Sequence, residues 1–211
     1  LYLVHRLPYP PNKGDKVRSY HLLKHLTRHH RVFLGTFIDD PEDEFHVPVV
    51  RTLCADLQIE RLIPRKARIA SLNGLLAGEP LTLRYYRSPA IFDWVNRLCR
   101  ANVIDAVVVF SAAMAQYVED FQLLPTLIDF VDVDSAKWTQ YAPRHRWPMS
   151  WLYRREGKLL LDYERRIAAR STRSFFVTEN EAALFCDQAP ECQLRVEAMC
   201  NGVDADYFSP V

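Results

Sequence analysis

The first residues whose types and spacing could do chemistry follow a stiff, proline-rich loop at residues 5–13. Gly14, Asp15 and Arg18 come next, at the start of a helical pattern. Gly14 lets a ligand approach the backbone because it has no Cβ atom. Asp15 is a type that caps helices, so the N–H groups after it could receive an anion, and Arg18 could contact a phosphate or a sugar carboxylate. The alternative is a rigid turn with a solvated arginine.

Carboxylates form a second group after an apolar run, at Asp129, Asp132 and Asp134. Hard oxygen ligands of this kind suit Mg²⁺ or Mn²⁺. The Asp-x-Asp pair also resembles the metal motif of GT-A glycosyltransferases and the nucleophile motif of haloacid-dehalogenase phosphatases, although such a short pattern is common by chance. In the alternative interpretation, Asp134 or Ser135 caps the next helix while Asp132 pairs with a nearby base. We favour a polar pocket without metal.

A third loop begins at Ser111, whose hydroxyl can donate or accept a hydrogen bond above the small residues that follow it. Packing of small residues and capping of a helix are the competing interpretations. No G-x-S-x-G pattern surrounds Ser111, which excludes a hydrolase nucleophile elbow. A single glycine at position 14 likewise argues against a standard dinucleotide site, which needs G-x-G-x-x-G.

Composition narrows the class of partner. The chain has 211 residues, 27 Lys plus Arg against 26 Asp plus Glu, and a net charge of +1. Such a balance gives no field to hold a polyanion, so nucleic acid is not expected as a partner. No stretch is long and apolar enough to span a bilayer, and the five cysteines lack a C-x-x-C pair. We therefore expect a cytoplasmic protein with reduced thiols.

The elements that position these loops alternate between apolar runs and helical patterns. The predicted strands are 1–7, 31–37, 57–62, 104–110, 126–131, 174–178 and 194–198. The predicted helices are 15–29, 42–55, 66–77, 90–101, 135–141, 149–170 and 179–188. Continuous apolar runs such as 106–110 indicate strands buried on both faces. The alternation predicts an α/β fold, an open and mostly parallel sheet with helices on both faces.

Together the loops resemble a known family. The segment 8–15 with Arg18, and the tail 201–204 followed by 207–210, are similar to the opening and the exit of the N-terminal domain of family 4 glycosyltransferases of the GT-B fold. The middle, 130–135 with Trp138, resembles sugar transferases of bacterial exopolysaccharide and exosortase (PEP-CTERM) systems. The resemblance covers nearly the whole chain.

The resemblance implies a Rossmann-like, acceptor-side domain at 1–200 and, at 201–211, the start of a linker to an absent nucleotide-sugar-binding domain. Asn201 and Gly202 would form the hinge. The enzyme would transfer a sugar from a nucleotide-sugar donor to a saccharide or lipid-linked acceptor, with retaining chemistry and no metal or other cofactor. The isolated chain is expected to be inactive, because one domain cannot close a cleft around two substrates.

The resemblance also implies roles for single residues. The loop at Gly14, Asp15 and Arg18 would face the donor diphosphate. Asp132, Asp134, Lys137 and Trp138 would line the acceptor pocket. The catalytic residue stays unknown, with Ser111 and Asp132 as candidates; Ser111 stands where many members of the family carry a histidine.

Two other functions stay open. A non-catalytic α/β binding module fits the missing histidine, and a haloacid-dehalogenase-type phosphatase is a more remote alternative, because Asp132 lies far from the first strand. Peripheral contact with the inner membrane is a further expectation. The segment 144–147 with Trp151, Arg154 and Arg155 combines basic and aromatic residues as an interfacial patch does.

Overall fold

A computed structural model describes residues 1–202 and has a seven-stranded, entirely parallel sheet. Each predicted strand is present, usually shorter than its apolar run. The strands are β1 (Tyr2–Val4), β2 (Phe33–Ile38), β3 (Asp56–Arg61), β4 (Val107–Phe110), β5 (Thr126–Val131), β6 (Arg173–Phe176) and β7 (Val196–Ala198). The chain therefore has the Rossmann-like open α/β fold that the alternating pattern predicts.

The strand order is β3-β2-β1-β4-β5-β6-β7, so the chain changes direction across the sheet between β1 and β4. In register, Val4 lies beside Phe110, and Phe110 lies beside Asp129. The carboxyl ends of these three central strands thus meet at one edge. In open α/β sheets this switch point is where ligands bind.

Helices cover both faces of the sheet, and most begin and end close to their predicted bounds. The helices are α1 (Gly14–His29), α2 (Val47–Leu53), α3 (Pro64–Ser71), α4 (Asn73–Ala77), α5 (Leu81–Tyr85), α6 (Pro89–Arg100), α7 (Asp134–Tyr141), α8 (Met149–Arg170) and α9 (Glu179–Gln188). The predicted helix at 42–55 begins as a 3₁₀ segment, and the one at 66–77 is two short helices. Helix α5 was not predicted, since its five residues are too few to show periodicity.

The core is divided by the sheet into two apolar clusters. The larger contains Leu3, Trp94 and Leu160 and lies under α6 and α8; the smaller contains Leu23, Leu34 and Val50 and lies under α1 and α2. Parallel strands buried on both faces explain why the strand sequences are continuous apolar runs rather than alternating ones.

Two buried glutamates of α8 accept hydrogen bonds from the first turns of two neighbouring helices. The sequence did not predict these contacts. Glu156 accepts hydrogen bonds from the backbone N–H groups of Leu81 and Thr82, at the start of α5. Glu164 accepts from the N–H and hydroxyl of Ser135, at the start of α7, with the hydroxyl at 2.5 Å. Burial raises the pKa of Glu164 to about 8. The two side chains satisfy donors that a helix leaves unpaired in its first turn.

Helix α7 can approach α8 closely because of Gly157. A Cβ atom there would lie 2.4 Å from the Thr139 hydroxyl oxygen and 3.0 Å from the Ser135 carbonyl oxygen. The glycine and Glu164 together hold α7 at the sheet edge that carries the candidate site. Within residues 1–202, none of the helices combines the length and the apolar character needed to cross a membrane.

Candidate functional site

Three turns come together at the carboxyl edge of the sheet. They follow β1, β4 and β5, which are adjacent strands, and they contain the predicted residues Gly14, Ser111 and Asp132. The backbone N–H of Ser111 donates to the Asp129 carbonyl oxygen at 2.8 Å, which joins the second turn to β5. We call this region the rim. The fold thus brings together three turns of which the first and the last, at Gly14 and Asp132, are 118 positions apart in sequence.

The first turn is organised by an ion cluster on Asp15. The Arg6 guanidinium lies 3.1 Å from the Asp15 carboxylate, and the His5 Nε2 atom lies 3.4 Å from the same oxygen. Arg6 also binds Asp39, at the end of β2, at 2.9 Å. The bond with His5, followed by the charge of Arg6, holds the pKa of Asp15 far below its usual range. Asp15 is therefore a permanent anion at the rim.

The prediction that Asp15 caps α1 is wrong. Helix α1 begins at Gly14, its cap residue is Lys13, and no side chain completes the cap. The Asp15 carboxylate lies in the first turn and faces Arg6 instead. Apart from its chain neighbours and its own helix backbone, no atom of the described residues lies within 4 Å of the position that a Cβ on Gly14 would occupy, so there is open space beside this helix end.

Arg18 is bound inside the domain. Its guanidinium makes a two-pronged contact with the Asp129 carboxylate, at 2.7 and 3.2 Å, and donates to the Asn201 side-chain oxygen at 2.9 Å. Both charged side chains of the pair are over nine-tenths buried. A contact between Arg18 and a phosphate stays a prediction. It would use the guanidinium N–H groups that do not donate to Asp129 or Asn201. Arg18 also ties the predicted hinge to the rim; Gly202 has no contact of this kind, and 203–211 lie outside the described residues.

Backbone strain is concentrated in the second and third turns. Ser111 has φ of 75° and Val131 has φ of 70°, values that side-chain-bearing residues rarely adopt and that β-branched residues adopt least of all. Such strain persists where the surrounding structure enforces it, and it is typical of functional sites. Ser111 occupies the cap position of the 3₁₀ turn that follows it, but its side chain makes no capping hydrogen bond within the described residues. Ala112, Ala113 and Ala115 are buried in the core, which agrees with the packing interpretation of these small residues.

The predicted acceptor residues form one group around Lys137. Its ammonium lies 2.7 Å from the Asp132 carboxylate and 3.1 Å from that of Asp134. Burial opposes the charge of Lys137, but the hydrogen bonds to Asp132 and Asp134 raise its pKa above the usual value. Trp138 packs against Tyr153 of α8, with ring centroids 5.3 Å apart. Asp132 pairs with a base, as the alternative interpretation proposed, whereas Asp134 does not cap α7.

The start of α7 is satisfied by distant acids instead. Val133 is the cap residue, and its N–H donates to the Glu181 carboxylate at 2.6 Å. Thr178 and Glu181 have the spacing of a capping box at the start of α9. Thr178 does accept from the Glu181 N–H, but the Glu181 side chain extends to α7. Two acids from other helices thus set the position of the strand-to-helix turn at the rim.

Sequence reasoning missed an aromatic wall beside the first turn. The His5 ring stacks on Phe110 at 5.9 Å and meets the edge of Tyr86 at 5.7 Å. His5 Nδ1 is buried, and no hydrogen-bond partner for it is found among residues 1–202. Burial raises the pKa of Tyr86 well above its usual value, and the charges of Asp39 and Asp134 add to the effect. A histidine directly after the first strand was the available signal; nothing in the sequence indicated Tyr86.

The described residues contain no group of three or more His, Cys, Asp or Glu side chains arranged to hold a metal ion. An open hollow of about 520 Å³ lies at the opposite edge of the sheet and is lined by residues such as Arg170, Arg173 and Arg195. We give more weight to the rim than to this hollow. Ligand sites in open parallel sheets lie beyond the carboxyl ends of the strands, whereas this hollow lies at their amino ends.

The chain matches no known protein family, and a search of curated proteins finds no significant similarity.

Proposed function

We propose that this chain is the acceptor-side domain of a GT-B glycosyltransferase of family 4, one that acts in bacterial exopolysaccharide or cell-surface glycan synthesis. It would transfer a sugar from a nucleotide-sugar donor to a saccharide or lipid-linked acceptor. The observation that supports this best is the convergence of the turns after β1, β4 and β5 on one rim at the switch point of a parallel sheet. The motif resemblance places its key residues in these same turns.

The open helix end at Gly14 suits the donor diphosphate. The first turn of α1 has backbone N–H groups without a side-chain cap, and the space above Gly14 is free. Backbone N–H groups and the helix dipole stabilise a diphosphate as its bond to the sugar breaks. The cations needed to neutralise it further would come from a second domain, because Arg18 and Arg6 are already paired with carboxylates.

The group around Lys137 suits the acceptor. Asp132 and Asp134 can accept hydrogen bonds from sugar hydroxyls, and Trp138 offers an apolar face on which a sugar ring can lie. In the transfer step the acceptor oxygen bonds to the anomeric carbon, the bond from that carbon to the diphosphate oxygen breaks, and the proton of the acceptor hydroxyl passes to the departing diphosphate. Asp132 is the candidate to hold that hydroxyl.

A transfer assay tests the proposal. The 211-residue chain and the product of the complete reading frame that contains it would be supplied with labelled UDP- and GDP-sugars and with polyprenyl-phosphate-linked sugars or free saccharides. We expect turnover by the complete product only. Turnover by the isolated chain would refute the two-domain account. The class predicts a second Rossmann-like half that contains a basic pair and two glutamates eight positions apart. A complete reading frame that lacks this half would refute the assignment to the class.

A non-catalytic binding module is the second candidate, and one observation favours it. Asp15, Asp129, Asp132 and Asp134 each have a basic partner inside the domain, so no carboxylate among them is an unpaired base. A complete product that binds saccharides without turnover would support the module. Mg²⁺-dependent phosphatase activity that Asp132→Asn abolishes would support the phosphatase alternative.

A further inference from the structure

Two segments of the chain carry a strong and one-sided charge. The first, 63–78, contains α3 and α4, and the second, 142–155, leads into α8. Together they hold seven Lys and Arg residues and no Asp or Glu, in a protein whose net charge is only +1. The seven are Arg65, Lys66, Arg68, Arg144, Arg146, Arg154 and Arg155. Six are exposed, and Arg155 is half-buried.

The same two segments carry seven of the fourteen large apolar side chains that are exposed among the described residues. Leu76 is 93% exposed, Trp147 81% and Ile69 71%. The set is completed by Ile63, Leu72, Met149 and Trp151. Isolated surface leucines need no explanation, but a group of exposed apolar side chains framed by cations does.

The structure brings the two segments into contact with each other. The Arg155 guanidinium donates to the Gly74 carbonyl oxygen at 2.8 Å and to the Glu79 carbonyl oxygen at 3.2 Å, which fixes the end of α4 against α8. Gly74 lies between Leu72 and Leu76, and Trp151 is one helical turn before Arg155 on α8. We call this combined surface, 63–78 with 142–155, the basic apolar face. The sequence pattern indicated only its second half.

We propose that the basic apolar face binds the surface of an anionic lipid bilayer. Apolar side chains that enter the headgroup region, surrounded by lysines and arginines, are the features of interfacial membrane binding. Each lysine or arginine near an anionic surface strengthens the attraction. The cations and the apolar side chains of the face therefore act together in binding. A second copy of the chain is a poorer occupant, because a symmetric self-interface would bring fourteen like charges together.

The face also adjoins the candidate acceptor residues. Trp138 packs on Tyr153, which lies between Trp151 and Arg155, and the His145 ring meets Tyr153 at 5.0 Å. A membrane bound at this face would therefore lie beside the rim. The binding itself does not depend on the proposed transferase activity, so it can be tested on this chain alone.

Vesicle flotation tests the proposal. The chain would be mixed with vesicles of phosphatidylcholine alone and with vesicles that contain about 30% phosphatidylglycerol, in low and high salt. We expect binding to the anionic vesicles to be at least about tenfold stronger and to weaken as salt rises. Equal binding to both vesicles, or none to either, would overturn the proposal, as would a stable dimer in solution whose formation Leu76→Ser abolishes.

Matched variants separate this face from surface character in general. Leu72→Ser with Leu76→Ser should reduce binding about tenfold, whereas Leu123→Ser with Leu194→Ser, at the other edge of the sheet, should leave it unchanged. Arg65→Glu with Arg68→Glu should reduce it by a similar factor or more. Lys24→Glu with Arg100→Glu changes the net charge equally at exposed positions elsewhere and should have an effect below about threefold. Equal losses in both members of either comparison would overturn the proposal.

Discussion

The two edges of the parallel sheet hold their charged side chains in different ways. At the carboxyl edge, the Arg18–Asp129 pair is buried, and two residues with positive φ lie beside it. At the amino edge, Arg173 pairs with Glu197 in the open, next to a hollow of about 520 Å³ and the fully exposed Leu123. The ion pair beside the hollow is thus exposed, whereas the ion pair at the rim is buried. Convergence of buried ions and strained turns, not the size of a hollow, marks the candidate site.

The largest change in the free energy of unfolding is expected when the buried Arg18–Asp129 pair is broken. Arg18→Ala should lower the free energy of unfolding by about 3–5 kcal/mol, because it leaves Asp129 buried without a counter-charge. Arg173→Ala removes an exposed pair and should cost less than about 1 kcal/mol. Urea denaturation of both variants measures the difference. Similar losses of unfolding free energy in the two variants would mean that the ion pairs at the two edges contribute equally to stability.

The next effect is a pH dependence at the start of α7. The pKa of Glu164 is about 8 in the folded chain and lies near its ordinary value when unfolded. Between roughly pH 4.5 and 8 the folded state therefore binds more protons, and the Glu164 contribution to stability falls as pH rises, by on the order of 4 kcal/mol. Glu164→Gln should flatten this part of the stability curve.

Glu191→Gln is the matched control for that experiment. Glu191 is an exposed carboxylate that pairs with Arg165, the residue after Glu164 on α8. The hydrogen bond with Arg165 lowers the pKa of Glu191. Its contribution is therefore complete above its ordinary pKa, so its removal should leave the slope between pH 5 and 8 as in the parent chain. A wild-type curve that is flat or rises over this range would contradict the protonated, buried Glu164.

A smaller change in stability is expected when a residue with positive φ is replaced by glycine. The change should be larger at the strained turn of Ser111 than at the helix end of Asn102. Ser111→Gly relieves a positive φ at the rim and should stabilise the fold by about 1 kcal/mol, after the entropic cost of glycine. Asn102→Gly, at φ 53° after α6 on the amino edge, should change stability by only a few tenths of a kcal/mol, because asparagine tolerates this conformation. Thermal unfolding distinguishes the two. A destabilising Ser111→Gly would show that the turn is not strained.

The smallest effect on stability is expected at Gly14. Gly14→Ala places a methyl group in open space in the first turn of α1 and should stabilise the fold by up to about 1 kcal/mol. If the space serves a diphosphate, the same variant should lower transfer by the complete product at least about tenfold. Thermal unfolding and initial rates measure the two properties. Unchanged rates would remove Gly14 from the donor site.

The sequence predicted the order of strands and helices well, and the contacts at the rim poorly. Strand β4 is a continuous apolar run and α8 has a long helical period, so local pattern alone located both. Partner choice is a long-range property. Arg18 was placed toward a ligand because it follows Gly14 on α1, but the fold sets it against Asp129, 111 positions away.

The same limit explains the errors at helix starts. Asp15 and Asp134 are cap-type residues, yet Asp15 is drawn to Arg6, and the start of α7 is filled by Glu164 and Glu181 from other helices. The aromatic wall of His5 and Tyr86 forms only when α5 packs beside β1. Local propensity does not contain this information, because the competing partners lie far along the chain.

Nuclear magnetic resonance on the isotope-labelled chain tests the central claim, that the rim is the ligand-binding wall, most directly. Backbone amide shifts would be followed during titration with UDP- and GDP-sugars and with short saccharides, which detects even weak binding by half of a site. We predict perturbations at Gly14, Ser111 and Asp132, lost for the nucleotide sugars in Gly14→Ala. Perturbations centred on Thr172 and Arg195 at the amino edge, or none with any of these ligands, would contradict the account.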